Sequence, residues 1–153
     1  VTRNGPPITF EDFATLAVEM SANSPCQKSK RGAVAFGGRE NEARELVAVG
    51  WNHRPGGEAC DGSPACRALC RATCVHAEQA LVVSTAELEG ADVIHAKTIG
   101  GVLVESDGPS CVECSKLLMD AGVVAVWLYL PTGWNRYLMA EFHRLSIEAR
   151  RHP

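Results

Sequence analysis

His76 and Glu78 stand one residue apart in CVHAEQAL, residues 74–81. Cys111 and Cys114 stand two residues apart in GPSCVECSKLL, residues 108–118. An imidazole and two thiolates form a nitrogen–sulfur donor set that suits a tetrahedral zinc ion with its fourth position open. A Cys-x-x-Cys pair opening a helix is a compact source of two ligands, because the orphan N–H groups of the first turn favour thiolate over thiol. Zinc held in this way lowers the pKa of a water at the open position. Glu78 does not suit the same ion from mid-helix, since residues two apart on a helix point about 200° apart. At a helix mouth it can edge the pocket and carry protons between a water and a substrate nitrogen. Two other readings compete. A redox pair of Cys111 and Cys114 leaves His76 and Glu78 without a role, and a closed, non-catalytic zinc module has no use for Glu78.

These groups need elements to carry them. Phe10, Phe13, Leu16, Ala17 and Met20 recur at helical spacing, and Thr9 followed by Glu11 and Asp12 suits a helix start. RGAVAFGG (31–38) and ARELVAVGWN (43–52) read as strands joined by a turn at REN (39–41). Residues 53–65, rich in Gly, Pro and Asp, read as a loop long enough to have a function. From Ala72 to Gly90 the chain reads mostly as helix, with His76 and Glu78 near its beginning. GGVLVES (100–106) reads as a strand, and residues 110–122 as a helix ended by Gly122. VVAVWLYL (123–130) reads as a buried strand. Residues 135–150 read as a last helix, with Trp134, Tyr137, Leu138, Phe142 and Leu145 along one side and His143 in a structural place. The resulting order predicts a layered α/β protein with crossover connections.

Composition narrows the classes. The 153 residues fit one domain, 1–153. With 46% hydrophobic residues, 22% charged residues and a net charge of -3, the chain can build a core, and it gives no support to an electrostatically driven nucleic-acid binder. No apolar run reaches the length of a membrane span, and VTRNGPPITF lacks the basic-then-apolar pattern of a leader. The cysteine count is odd, at seven, and six of them lie between Cys60 and Cys114. Metal ligands in a reducing cytoplasm account for this better than disulfides do.

His-x-Glu followed downstream by Cys-x-x-Cys resembles the cytidine/deoxycytidylate deaminase superfamily, and within it the deoxycytidylate (dCMP) deaminases most. HAEQAL resembles the family's His-Ala-Glu helix. AVGWNHRPGG resembles its Gly-Tyr-Asn loop with Trp51 for Tyr, and CSKLLMDAGVVAVWLY resembles its second ligand helix and following strand. The likeness covers roughly residues 10–130. Ser110 stands between Pro109 and Cys111, where the family places Pro directly before Cys, and GGVLVESDG lacks the aromatic and Thr of the family's strand.

The resemblance implies a three-layer α-β-α sandwich around a mixed sheet, cytidine deaminase-like. It implies a zinc held by His76, Cys111 and Cys114, with Glu78 as proton shuttle. The implied reaction is hydrolytic deamination of a cytosine nucleotide, dCMP to dUMP with release of ammonia; a free or modified cytosine nucleoside is the alternative. Asn52 is implied at the substrate sugar and Arg31 at the sugar or phosphate. Ser110 and Trp51 fall at the pocket wall, Trp51 with a core position as the other reading. Some relatives carry a second, structural zinc, which here implies Cys60, Cys66 and Cys70, with Cys26 or His95 as fourth donor. Their spacings of six, four and four match no standard zinc ribbon, so buried thiols are the competing reading. Cys74 reads as a packing residue. The implied partner is a small nucleotide or nucleoside, and the implied assembly is a homo-oligomer.

Overall fold

The computed structural model describes residues 8–37, 44–84 and 86–151. The expected turn at residues 39–41 lies outside them. A sheet forms the centre, from β1 (Lys30–Gly37), β2 (Glu45–Trp51), β3 (Asp92–Ile99), β4 (Val102–Val104), β5 (Ala125–Leu130) and β6 (Gly133–Leu138). Its order is β2-β1-β3-β5-β6. β4 pairs with Lys97–Ile99 of β3, past the point where β5 leaves off. Among the described strands only the β3–β5 pair is parallel, because a helix crosses over between those two; the other pairs are antiparallel.

Alternation along the strands divides the core into two layers. Ala33, Ala35, Val93, Val126 and Leu128 face one side, under α3 (Ala77–Val83), α4 (Val112–Asp120) and α5 (Met139–Arg151). Val34, Phe36, Ile94 and Ala96 face the other, under α1 (Phe10–Ser21). Thr9 caps α1 in a reciprocal box with Asp12, which satisfies two orphan groups at the helix start. Two glycines set how closely the helices approach. A Cβ on Gly32 would lie 2.0 Å from the Ala17 carbonyl oxygen of α1, and one on Gly50 would lie 2.8 Å from the Ala77 carbonyl oxygen of α3. The result is the three-layer α-β-α arrangement around a mixed sheet.

Four elements differ from the sequence reading. The strand β3 went unread because Asp92, His95 and Lys97 interrupt its apolar pattern, yet it is the central strand and mostly buried. The helix expected over 72–90 shortens to α3, and residues 64–73, not read as helix, form α2. Ser63 caps α2 (Pro64–Thr73), which ends at Cys74, and α3 starts after His76. Between them Val75 bridges back to His53 through paired backbone hydrogen bonds of 2.7 and 3.0 Å, which draw the chain out of helical conformation. Cys74 therefore caps α2 and is not on the helix that carries Glu78. Residues 133–138 form β6, a hairpin partner of β5, so Trp134 and Tyr137 belong to a strand and the last helix starts at Met139.

Candidate metal centre and active-site cavity

Two helix mouths meet at the sheet. His76 is the N-cap of α3, and its backbone N–H donates to the Gln79 side chain at 2.9 Å. Cys111 is the N-cap of α4, and its Sγ accepts from the backbone N–H of Cys114 at 3.3 Å. Because the two helices pack against each other, the caps converge. His76 Nδ1 lies 3.1 Å from Cys114 Sγ and 3.4 Å from Cys111 Sγ, and the three donor atoms all lie within 4.8 Å of one another. Zinc with ordinary Zn–N and Zn–S lengths at a tetrahedral angle needs an N–S separation of about 3.6 Å, so this donor set fits the ion.

The protonation of the three groups suits a metal. The hydrogen bond with Cys114, aided by His76 and by the Cys114 N–H, draws the Cys111 thiol down to about 5 despite burial. Cys114 is pushed up, by sharing that bond with Cys111 and by burial. His76 is raised, chiefly by its bond with Cys111. One thiolate is thus available near neutrality, and the second proton is the one a cation would displace.

Glu78, in the first turn of α3, is buried and lines a cavity of about 370 Å³ that also opens on the three donors. Burial pushes its carboxyl up, but attraction to His95 and a hydrogen bond from that ring outweigh burial and hold the carboxyl down at about 2. His95 was expected as a candidate fourth donor to the second thiol group. Instead its Nδ1 faces Glu78 and its Nε2 lies 3.3 Å from Arg31 Nη1, because β3 runs under the first turn of α3. Arg31 also donates to Asp107 at 3.3 Å, and Lys97 reaches the same carboxylate. Asn52, at 6% exposure, pins the segment before β1: its Oδ1 accepts from the Arg31 N–H at 2.7 Å, and its Nδ2 donates to the Ser29 carbonyl. Asn52, Arg31 and Ser110 all line the cavity. Trp51 does not. It faces a separate hollow at the edge of β2 with Pro25, Val49 and His53, since neighbours along an extended chain point to opposite sides.

The second thiol group also assembles. Cys66 Sγ lies 3.4 Å from Cys60 Sγ and 3.9 Å from Cys70 Sγ, near the roughly 3.8 Å between two thiolates on one tetrahedral zinc. Cys26 lies outside this triad, but its thiol bonds to Cys60. The Cys74 thiol donates to the His53 carbonyl and has a raised pKa, through burial first. Reading the sequence missed the cavity's apolar wall of Leu128 and Phe142, and the arginines of α2. Phe142 was read on the last helix, where α5 carries it, but without a place in the cavity, and α2 was not read as a helix at all.

No protein-family model matches the chain, and no curated protein matches it. Solved structures do. Cytidine deaminase from Burkholderia pseudomallei superposes with a TM-score of 0.58 at 14% identity, over 88% of this chain and 96% of that one. Cytidine deaminase from Mycobacterium leprae superposes with a TM-score of 0.50 at 17% identity, over 87% and 95%. The chain has the cytidine deaminase-like fold. Identities this low speak for architecture and leave the chemistry to the residues of the cavity. Among the described residues, no helix is long and apolar enough to cross a membrane.

Proposed function

We propose that this protein is a zinc-dependent deaminase that hydrolyses the exocyclic amino group of a cytosine base, with dCMP as substrate and dUMP and ammonia as products. One observation carries this reading: the His76, Cys111 and Cys114 donors and the buried Glu78 carboxylate open on one cavity. A purely structural metal site has no use for the acid. When bound, zinc supplies Lewis acidity and a water that ionises near neutral pH.

The chain's own residues do the rest. His76, Cys111 and Cys114 would hold the ion at the border of the cavity. Leu128 and Phe142 give the base an apolar seat and limit access of bulk water. Asn52, fixed through Arg31 and Ser29, offers its remaining amide N–H to the sugar. Glu78 takes a proton from the attacking water and delivers it to N3 of the ring. It then passes the second proton to the amino group at C4, which leaves as ammonia while a carbonyl forms at C4. His95 donates to Glu78 and orients the carboxylate. Cys60, Cys66 and Cys70, with Cys26 beside them, would hold a second zinc, which would fasten the loop and α2 to the body of the protein.

The test is an ammonia-release screen of the zinc-loaded protein on cytidine, deoxycytidine, their monophosphates, and adenine and guanine nucleosides. Release from cytosine compounds alone supports the reading. Zinc-loaded protein that releases ammonia from none of them contradicts it.

A further inference from the structure

The cavity has a second chemical feature besides its metal donors and its acid. Four cationic side chains line it, Lys28, Arg31, Arg67 and Arg71, against two carboxylates, Glu78 and Asp107. Glu78 is engaged by His95, and Asp107 by Arg31 and Lys97. That leaves Lys28, Arg67 and Arg71, whose side chains make no hydrogen bond or ion pair among the described residues. Three unneutralised cations at one mouth contrast with a chain whose net charge is -3.

Their placement follows from α2. Arg67, Cys70, Arg71 and Cys74 stand at i, i+3, i+4 and i+7, one stripe of a helix, and all four line the cavity. Only Cys66 of α2 is buried, and its thiol contacts Cys60 and Cys70. The helix is therefore fastened by sulfur, with little apolar packing, and turns its two arginines to the ligand side. Guanidinium forks four residues apart match the oxygens of a phosphate, and solvent-exposed cations at a cavity mouth raise the local concentration of anions.

We propose that α2 is a phosphate-recognition element. Arg67 and Arg71, with Lys28 across the mouth, take the phosphate of a mononucleotide whose base lies toward His76 and Glu78. A cavity of about 370 Å³ is on the scale of a small ligand and not of a strand, which favours a mononucleotide over a nucleic acid. The inference rests on the deaminase reading for the direction of the base and deepens it by naming the groups that select the phosphorylated form.

The test is calorimetric binding of dUMP, deoxyuridine, inorganic phosphate and a single-stranded oligodeoxynucleotide to zinc-loaded protein, with ammonia release from dCMP and deoxycytidine measured in parallel. For two charge-assisted contacts at a solvent-exposed mouth, dUMP should bind about 10- to 100-fold more tightly than deoxyuridine. The double substitution Arg67→Gln, Arg71→Gln should bring that ratio close to one, and Arg67→Lys, Arg71→Lys should keep most of it. Matching far-UV spectra and zinc contents show that both variants fold. A ratio near one in the unaltered protein, no binding of dUMP, a ratio indifferent to the Gln pair, or tighter binding of the oligonucleotide than of dUMP each overturns the proposal. Ammonia released equally well from deoxycytidine and dCMP, with no phosphate preference, defeats this inference and leaves the deaminase reading standing. Phosphate-dependent binding of dUMP without ammonia from any cytosine compound does the reverse.

Discussion

Replacing His95 with alanine should reveal how Glu78 is kept ready. The two side chains are 9% and 7% exposed, so neither can exchange its partner freely for bulk water. His95 Nδ1 faces Glu78 and gives the carboxylate its donor, while Nε2 lies 3.3 Å from Arg31 Nη1. Alanine removes that donor and leaves a buried carboxylate without it. Breaking a buried pair costs about 3–5 kcal/mol, and water entering from the adjoining cavity brings the expected loss to about 2–3 kcal/mol. Glu78→Gln alone keeps an oxygen to accept from Nδ1 and should cost about 1 kcal/mol. The double variant has no stranded charge, so its loss should fall short of the sum of the single losses by about 1.5 kcal/mol or more. Urea unfolding at pH 7, on proteins matched for zinc content, measures all four corners of the cycle. Losses that add within about 0.5 kcal/mol would refute the coupling and, with it, the positioning of Glu78 by His95.

Other outcomes follow from the same contacts. Gly50→Ala places a Cβ 2.8 Å from the Ala77 carbonyl oxygen, displaces the mouth of α3, and should weaken zinc binding about 10-fold, as loss of a supporting contact does. Gly37→Ala, whose nearest neighbour would be a Val47 methyl at 3.6 Å, serves as control in the same chelator competition and should change nothing. Gly32→Ala meets backbone of α1 at 2.0 and 2.6 Å and should lower stability by about 3 kcal/mol or more, read as a fall in thermal midpoint. Cys66→Ser should reduce metal content from two zinc ions per chain to one and weaken dUMP binding, because the thiols fasten α2; metal analysis alongside calorimetry checks both.

The donors were legible because their chemistry is local. A His and a Glu opening one helix, and a Cys-x-x-Cys opening another, can be read from types and spacing, and the fold brings those helices to the same face of the sheet. What lay hidden depended on tertiary contact. The strand β3 carries polar residues for reasons that only its neighbours supply: Asp92 pairs with Arg136 and the Trp127 N–H, and His95 meets Glu78. The break between α2 and α3 comes from a bridge to His53, more than twenty residues earlier. Trp51 and Asn52 are adjacent letters that serve different hollows, because one step along an extended chain reverses direction. Arg67 and Arg71 of α2 were not singled out in the sequence, because only the helix places both on the cavity side.

The most direct test of the central claim compares three preparations of the protein on dCMP: zinc-loaded, zinc-stripped, and zinc-loaded Glu78→Gln. Steady ammonia release is expected from the first and none from the second until zinc is restored. Turnover of the third should be lower by about 10²- to 10⁴-fold with full zinc content, the range for loss of a positioned acid–base group. Undiminished turnover by the Glu78→Gln protein, or by the stripped protein, would contradict it.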